Sequence, residues 1–252
     1  MQIDLNADVG ESFGVYRYGD DEGVVPCVSS VNIACGFHAG DPAVMRSTVQ
    51  LARLHGVAIG AHPGFHDLPG FGRREMHLGA AELETLIAYQ IGALAAIAAS
   101  EGTRLSHVKP HGALYNMAAR DAAMADAIAR AVRGVDASLV LFGLSGSQLT
   151  AGGERAGLRV ASEVFADRGY RADGSLAPRG TPGAVVTDAA EVARRAVDMA
   201  VRHAVTALDG ASVSVRADTI CVHGDTPGAA AIARAVRDAL RSAGIDVTPP
   251  RP

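Results

Sequence analysis

The chain has 252 residues, a net charge of -4 and a sequence pI near 6.1, with 48% hydrophobic residues. Its arginines and histidines are scattered, so no basic face is offered to nucleic acid, and none is expected as a partner. Three cysteines, Cys27, Cys35 and Cys221, form no CxxC pair and leave one over. That argues against a disulfide framework or a zinc-thiolate cluster and fits a reducing cytoplasm.

In chain order, "MQIDLNADVGE" enters a charged strand at once, without the basic and apolar regions of a signal peptide. Short apolar runs of strand type follow at 3–9, 30–36, 57–63, 106–110, 138–144, 159–165 and 218–224. Helical patterns lie between them at about 42–55, 80–101, 121–133, 147–156, 187–207 and 227–243. Several open on Asp, Ser or Thr, with Asp41-Pro42 starting the first and Thr187 a cap for the fifth. The longest apolar stretch, 86–99, is interrupted by Gln90 and short of a membrane span, so it reads as a buried amphipathic helix and no membrane is expected. The tail "TPPRP" is expected to fray.

Repeated βα units imply parallel strands with right-handed crossovers, in a closed barrel or an open doubly wound sheet. The placement of polar residues favours the barrel. Asp8 and Glu11 follow the first strand, His38 the second, His62 the third, and Lys109 and His111 the fourth. Glu163 and Asp167 mark the sixth, His223 and Asp225 the seventh. In a barrel such strand ends converge on one mouth, whereas an open sheet scatters them. The expectation is one α/β domain over residues 1–252, a TIM-like (β/α) barrel of seven strands.

The chemistry concentrates in a few segments. In "HVKPHGALYN" stands Lys109, the single lysine of a chain whose other 22 Lys+Arg residues are arginines. Lysine is a compact point charge whose pKa moves on burial, and arginine is a planar fork that stays charged, so this position calls for an ammonium. "SVNIACGFHAGDP" brackets His38 between Gly36 and Gly40 ahead of a helix N-terminus, and Cys35 reads as a buried apolar residue before a nucleophile. "IGAHPGFHDLPGFGRRE" carries His62 and then a lid-like loop to Arg73, which could grip a carboxylate or phosphate; His66 and His77 read as surface residues. In "DLNADVGE", Asn6 and Asp8 share one strand face, Asn6 suiting a buried network as well as catalysis and Asp8 a general base. Asp8, His38, His62 and His111 could gather a divalent metal, but no HExxH, HxH or cysteine cluster is present, so no metal is assigned. "SEVFADRGYRADGSLAPRGTPGA" is a long charged loop of functional length, and no phosphate-binding loop of either common type occurs.

Together "DLNADVGE", "SVNIACGFHAGDP", "IGAHPGFHDLPGFGRRE", "HVKPHGALYN", "EVFADRGYRADGSLAPR" and "ICVHGDTPGA" resemble the LamB/YcsF family, the A component of 5-oxoprolinase, from residue 3 to about 229. The resemblance implies a barrel of the glycoside hydrolase and deacetylase type. It also implies a protein that acts with 5-oxoprolinase subunits B and C to open 5-oxo-L-proline to L-glutamate with ATP hydrolysis. ATP would sit on this chain or be shared with the partners, and a divalent metal stays open. An unstrained lactam is a poor electrophile, so phosphorylating its oxygen would prepare it for water. Asp8 or His38 would then activate water, Lys109 would stabilise the oxyanion or phosphate, and His111 or His62 would protonate nitrogen. Arg73 or Arg179 would bind the substrate carboxylate, with Asn6, Glu11, Glu163, His223 and Asp225 as further substrate contacts. The rivals are a metal-dependent deacetylase or amidohydrolase working alone, and a non-catalytic subunit.

Overall fold

The computed structural model describes residues 1–223 and 228–250. Its elements in order are β1 (Gln2–Val9), α1 (Asp21–Val24), a 3-10 turn (Val25–Cys27), β2 (Ser30–Ala34), α2 (Pro42–Leu54), β3 (Ala58–His62), α3 (Ala80–Ser100), β4 (His107–Val108), α4 (Gly112–Ala118) and α5 (Ala122–Val135). There follow β5 (Val140–Leu144), α6 (Gln148–Arg155), β6 (Arg159–Phe165), α7 (Ala189–Arg202), β7 (Ala204–Thr206), β8 (Ser212–Ser214), β9 (Thr219–His223), α8 (Ala229–Ser242) and β10 (Asp246–Val247).

Parallel pairing runs β1-β2-β3-β4-β5-β6-β9, and β9 pairs back onto β1 through Asp4↔Thr219 to Asp8↔His223. That closes a seven-stranded barrel from the seven runs expected. The short β10 adds to the start of β1, and Thr248 N donates to Ile3 O, so the expected fraying does not begin at Thr248.

Alternation along each strand sorts the side chains. On β1, Leu5, Ala7 and Val9 face the helices, while Asp4, Asn6 and Asp8 face the interior, and all but Met1 and Gln2 of this end are buried. Register aligns the interior positions, with Asp8 opposite Asn32, Asn32 opposite Gly60, and Gly60 opposite His107. Gly60 is glycine for space, since a Cβ there would run into the His107 ring. Outside the barrel, the 21-residue α3 buries Leu83, Ile87, Ile91 and Leu94 on one face, each worth about 2 kcal/mol. The helix reaches the length of a membrane span, longer than the apolar stretch implied. Gln90 on the same face donates to Gly64 O and accepts from Gly64 N, both at 2.9 Å, fastening the turn that follows β3.

Helix starts follow their caps. Asp41, Asp121 and Ser147 accept from backbone N–H groups of α2, α5 and α6. For α7 the cap is Asp188, which accepts from Glu191 N, and not the neighbouring Thr187. The helix also ends earlier than its pattern suggests. His203 adopts φ 53°, the left-handed conformation that stops a helix, and the chain turns into the antiparallel pair β7–β8 around Asp209-Gly210.

Candidate active site

The barrel mouth opens on a cavity of about 570 Å³ lined by Asp8, Glu11, His62, Lys109, His111 and His223, with Arg73 and Arg179 at its rim. Lys109 forms its floor. Although β4 is two residues long, Lys109 N donates to Ala61 O and His111 N to Pro63 O, so the backbone stays locked to β3 and the residue after it. The Lys109 ammonium is 2.9 Å from Asp8 Oδ1, 2.9 Å from Glu163 Oε1, 3.0 Å from Cys221 Sγ and 3.3 Å from Asn6 Oδ1. Burial works against its charge, but Asp8, Cys221 and Glu163 outweigh that and raise its pKa well above the ordinary 10.5. It is a fixed cation, not a titrating amine.

Around it the polar groups are saturated. Asn6 Nδ2 donates to Glu163 Oε1 and Thr219 Oγ1, and Asn32 Nδ2 donates to Asn6 Oδ1 and Asp8 Oδ1. His107 Nε2 meets Asn32 Oδ1 at 2.8 Å, and burial followed by the Lys109 charge lowers its pKa to about 3, leaving a neutral donor. Tyr115 OH donates to Glu163 Oε2 at 2.7 Å, and Thr219 Oγ1 passes the chain on to Asp4. The sequence reading does not single out Asn32, Tyr115 or Thr219. Asn32 carries a readable signal, a polar residue at an inward position of an apolar strand; Tyr115 reaches the network through α4, which lies between the fourth strand and the 121–133 pattern where the sequence offers no helix.

A second group stands beside this floor. His62 Nε2 is 3.4 Å from Asp8 Oδ2 and 3.0 Å from His111 Nδ1. His38 stacks on His111, with centroids 3.7 Å apart and planes 2° from parallel, and Glu11 Oε1 is 3.7 Å from both His38 Nε2 and His111 Nδ1. Burial, then neighbouring imidazoles, lowers the pKa of His38 and His111 well below 6.5. The loop over these rings is pinned, not a free lid. Phe71 O meets His111 Nε2 at 2.9 Å, Gly72 O accepts from Ala113 N, and Asp67 is bonded to Arg74.

Several expectations change here. His38 is fully buried behind His111 and does not line the cavity, so it cannot activate water there. Asn6 and Glu163 are also buried off the cavity and hold Lys109 in place of touching a substrate. Asp8 is a poor base: burial would raise its pKa, yet His62 and Lys109 bring it well below 3.8. Burial pushes Cys35 up to about 12 and Cys221 well above 9, so neither thiol is a nucleophile. Asp225 lies outside the described residues. On β9, where His223 stands beside Asp8, Asp167 Oδ2 accepts from His223 N and lies 2.7 Å from His223 Nδ1. Arg168, next in the chain, donates to Ala177 O and Ala184 O and so folds the long loop that presents Arg179.

A profile of the LamB/YcsF family matches residues 3–252. The chain belongs to the LamB/YcsF family. Within it, a protein of Tolumonas auensis, named as the A component of 5-oxoprolinase, is 58% identical over 98% of both chains. The solved lactam utilization protein of Thermus thermophilus superposes with a TM-score of 0.93 at 53% identity, covering 98% of this chain and 99% of that one. A polysaccharide deacetylase of Bacillus cereus, at 12% identity and TM-score 0.50 over 100% and 93% of the chains, shares the barrel alone.

Proposed function

We propose that this chain is the lactam-opening subunit of an ATP-dependent 5-oxoprolinase, acting with subunits B and C to convert 5-oxo-L-proline to L-glutamate. The observation that carries the reading is Lys109, a permanently charged ammonium at the cavity floor, 2.9 Å from Asp8. Opening a lactam develops negative charge on the carbonyl oxygen, and a cation held in place at the cavity floor stabilises that charge through its field without reorganisation. The names of the family relatives support the substrate class.

The roles divide by position. Asp167 accepts from His223 Nδ1, which sets the tautomer and leaves Nε2 as the basic nitrogen of a cavity-lining ring. His223 is therefore assigned to activate water, in place of Asp8 or His38. His223, once it has taken the proton from water, is also placed to return it to the departing nitrogen, in place of His62 or His111, whose ring hydrogens are held by the carbonyls of Lys109 and Phe71. Arg73 and Arg179 supply cationic groups for the substrate carboxylate or a phosphate. ATP is assigned to the assembly with its partners, since the chain has no phosphate-binding loop.

The test is to assemble the chain with its B and C partners and follow glutamate formation together with ATP hydrolysis. Coupled turnover is expected only when this chain is present, and His223→Asn should lower kcat at least about a hundredfold while KM changes little. No turnover in a verified complete assembly overturns the reading.

A further inference from the structure

Two imidazoles in the wall of the cavity face each other in a way their other hydrogen bonds make unstable. His62 Nδ1 lies 2.7 Å from Lys109 O, and His111 Nε2 lies 2.9 Å from Phe71 O. A carbonyl only accepts, so each of these nitrogens carries hydrogen. The opposite nitrogens, His62 Nε2 and His111 Nδ1, are then lone pairs pointed at one another across 3.0 Å. Something positive belongs between them, a proton or a metal ion. Backbone carbonyls that fix the far nitrogen are also how metal-binding histidines are oriented.

A second observation favours the ion. His38 has no exposed surface, yet neither of its ring nitrogens has a hydrogen-bond partner among the described residues. A ring buried bare on both sides loses its hydration without compensation, which native interiors avoid unless a ligand completes it. Its Nε2 points toward Glu11 Oε1 at 3.7 Å, the same oxygen that His111 Nδ1 approaches at 3.7 Å. One donor atom from each of Glu11, His38, His62 and His111 falls within 4.8 Å of all the others. A tetrahedral zinc ion with ligands at about 2.0–2.1 Å sets neighbouring donors roughly 3.3 Å apart, close to the separations seen.

We infer that Glu11, His38, His62 and His111 form a binding site for one divalent transition-metal ion, with zinc the leading candidate. Three imidazoles and one carboxylate suit zinc and its neighbours, and disfavour magnesium and calcium. The other nearby grouping, Asp8, Cys221 and His223, is not the site, because the Lys109 ammonium already stands 2.9 Å from Asp8 and 3.0 Å from Cys221. His38 and His111 lie parallel, so one ring must tilt for both to meet an ion in plane. His38 is the ring with no hydrogen bond to lose. Gly64 and Gly72 make its position possible, since a Cβ on them would stand 2.6 Å from His38 Nδ1 and 2.7 Å from His38 Cβ. Glu11, His62 and His111 line the cavity, so the ion would face whatever binds there.

The test needs neither substrate nor partner subunits, which separates it from the lactam reading. Chelator-stripped protein is titrated with zinc by calorimetry, its metal content is counted by mass spectrometry, and cobalt is added to read the visible spectrum of a low-symmetry nitrogen and oxygen site. One ion per chain is expected, with ring-nitrogen resonances of all three histidines shifting together. Glu11→Gln and His38→Asn should each weaken zinc binding at least about tenfold, whereas the exposed-site controls His55→Ala and His77→Ala should not. Wild-type protein that takes up no stoichiometric zinc, or that keeps a proton shared between His62 and His111 with zinc present, overturns the inference. Undiminished zinc binding in a folded His38→Asn variant does the same.

Discussion

The cavity has two polar walls built on opposite principles. At the floor, Asp8, Lys109, Glu163, Asn6 and Asn32 satisfy one another, and the network runs on through Thr219 to Asp4. At the side, neither ring nitrogen of His38 has a hydrogen-bond partner among the described residues, and His62 Nε2 and His111 Nδ1 face each other at 3.0 Å. Both patches are buried in the same barrel. A saturated network gains rigidity and fixes charge in place; an unsaturated one is tolerated where a ligand supplies what is missing. The floor is thus the preorganised half of the site and the histidine wall its receptive half.

Breaking the floor should have the largest effect. Lys109→Met removes the cation and leaves the Asp8 and Glu163 carboxyl groups facing a dry gap, so a loss of about 3–5 kcal/mol in urea unfolding is expected, together with loss of turnover. Lys109→Arg keeps the charge but overfills the site, and should lower turnover at least about a hundredfold while remaining folded. Unaltered activity in the arginine variant would show that the floor needs only charge.

The far end of the same network gives a pH signature. Asp4 accepts from Ser29, Ser30 and Thr219, but burial, the largest influence, raises its pKa from 3.8 to about 6. A folded pKa above the unfolded one means that stability is fully present below the unfolded pKa and falls as pH rises toward about 6. The full difference is about 3 kcal/mol, of which about 2 falls between about pH 4.5 and 7.5. Asp4→Asn cannot titrate. The difference in unfolding free energy between wild type and variant should therefore move by that amount in the variant's favour as pH rises; a constant difference would mean that the three hydroxyls hold Asp4 ionised.

The histidine wall responds to backbone, with the smallest change in stability. Gly72 has φ 62°, and Gly72→Ala would press a methyl group against His38 Cβ. About 1–2 kcal/mol should be lost, and zinc binding should weaken further than that figure implies, with the floor undisturbed. If zinc affinity is unchanged, His38 is not part of the wall's ligand set.

The seven barrel strands were legible because each is a short apolar run bounded by turn residues. Lys109, Asp8 and His62 were legible because barrel closure brings strand ends together. What escaped was set by other forces. Helix α4 spans only Gly112–Ala118, too short for a period to show, and with it went Tyr115. Strand β7 hides in the tail of the helical pattern at 187–207, and its partner β8 lies beyond that pattern, past the turn that Asp209-Gly210 marks. His38 looks like a residue of the mouth because its loop follows a strand end, but Gly64 and Gly72 let it sink behind His111. Depth within a loop is decided by glycines from another segment, and no local pattern records that.

The lone lysine has a practical consequence. Its side chain is 3% exposed and the chain has no other lysine, so an amine-acylating reagent reaches only the exposed α-amine of Met1 until the barrel opens. Each opening that is trapped adds one acyl group at Lys109, read as a single mass increment. The natural protein therefore carries its own reporter of opening events, with no label introduced and no residue changed.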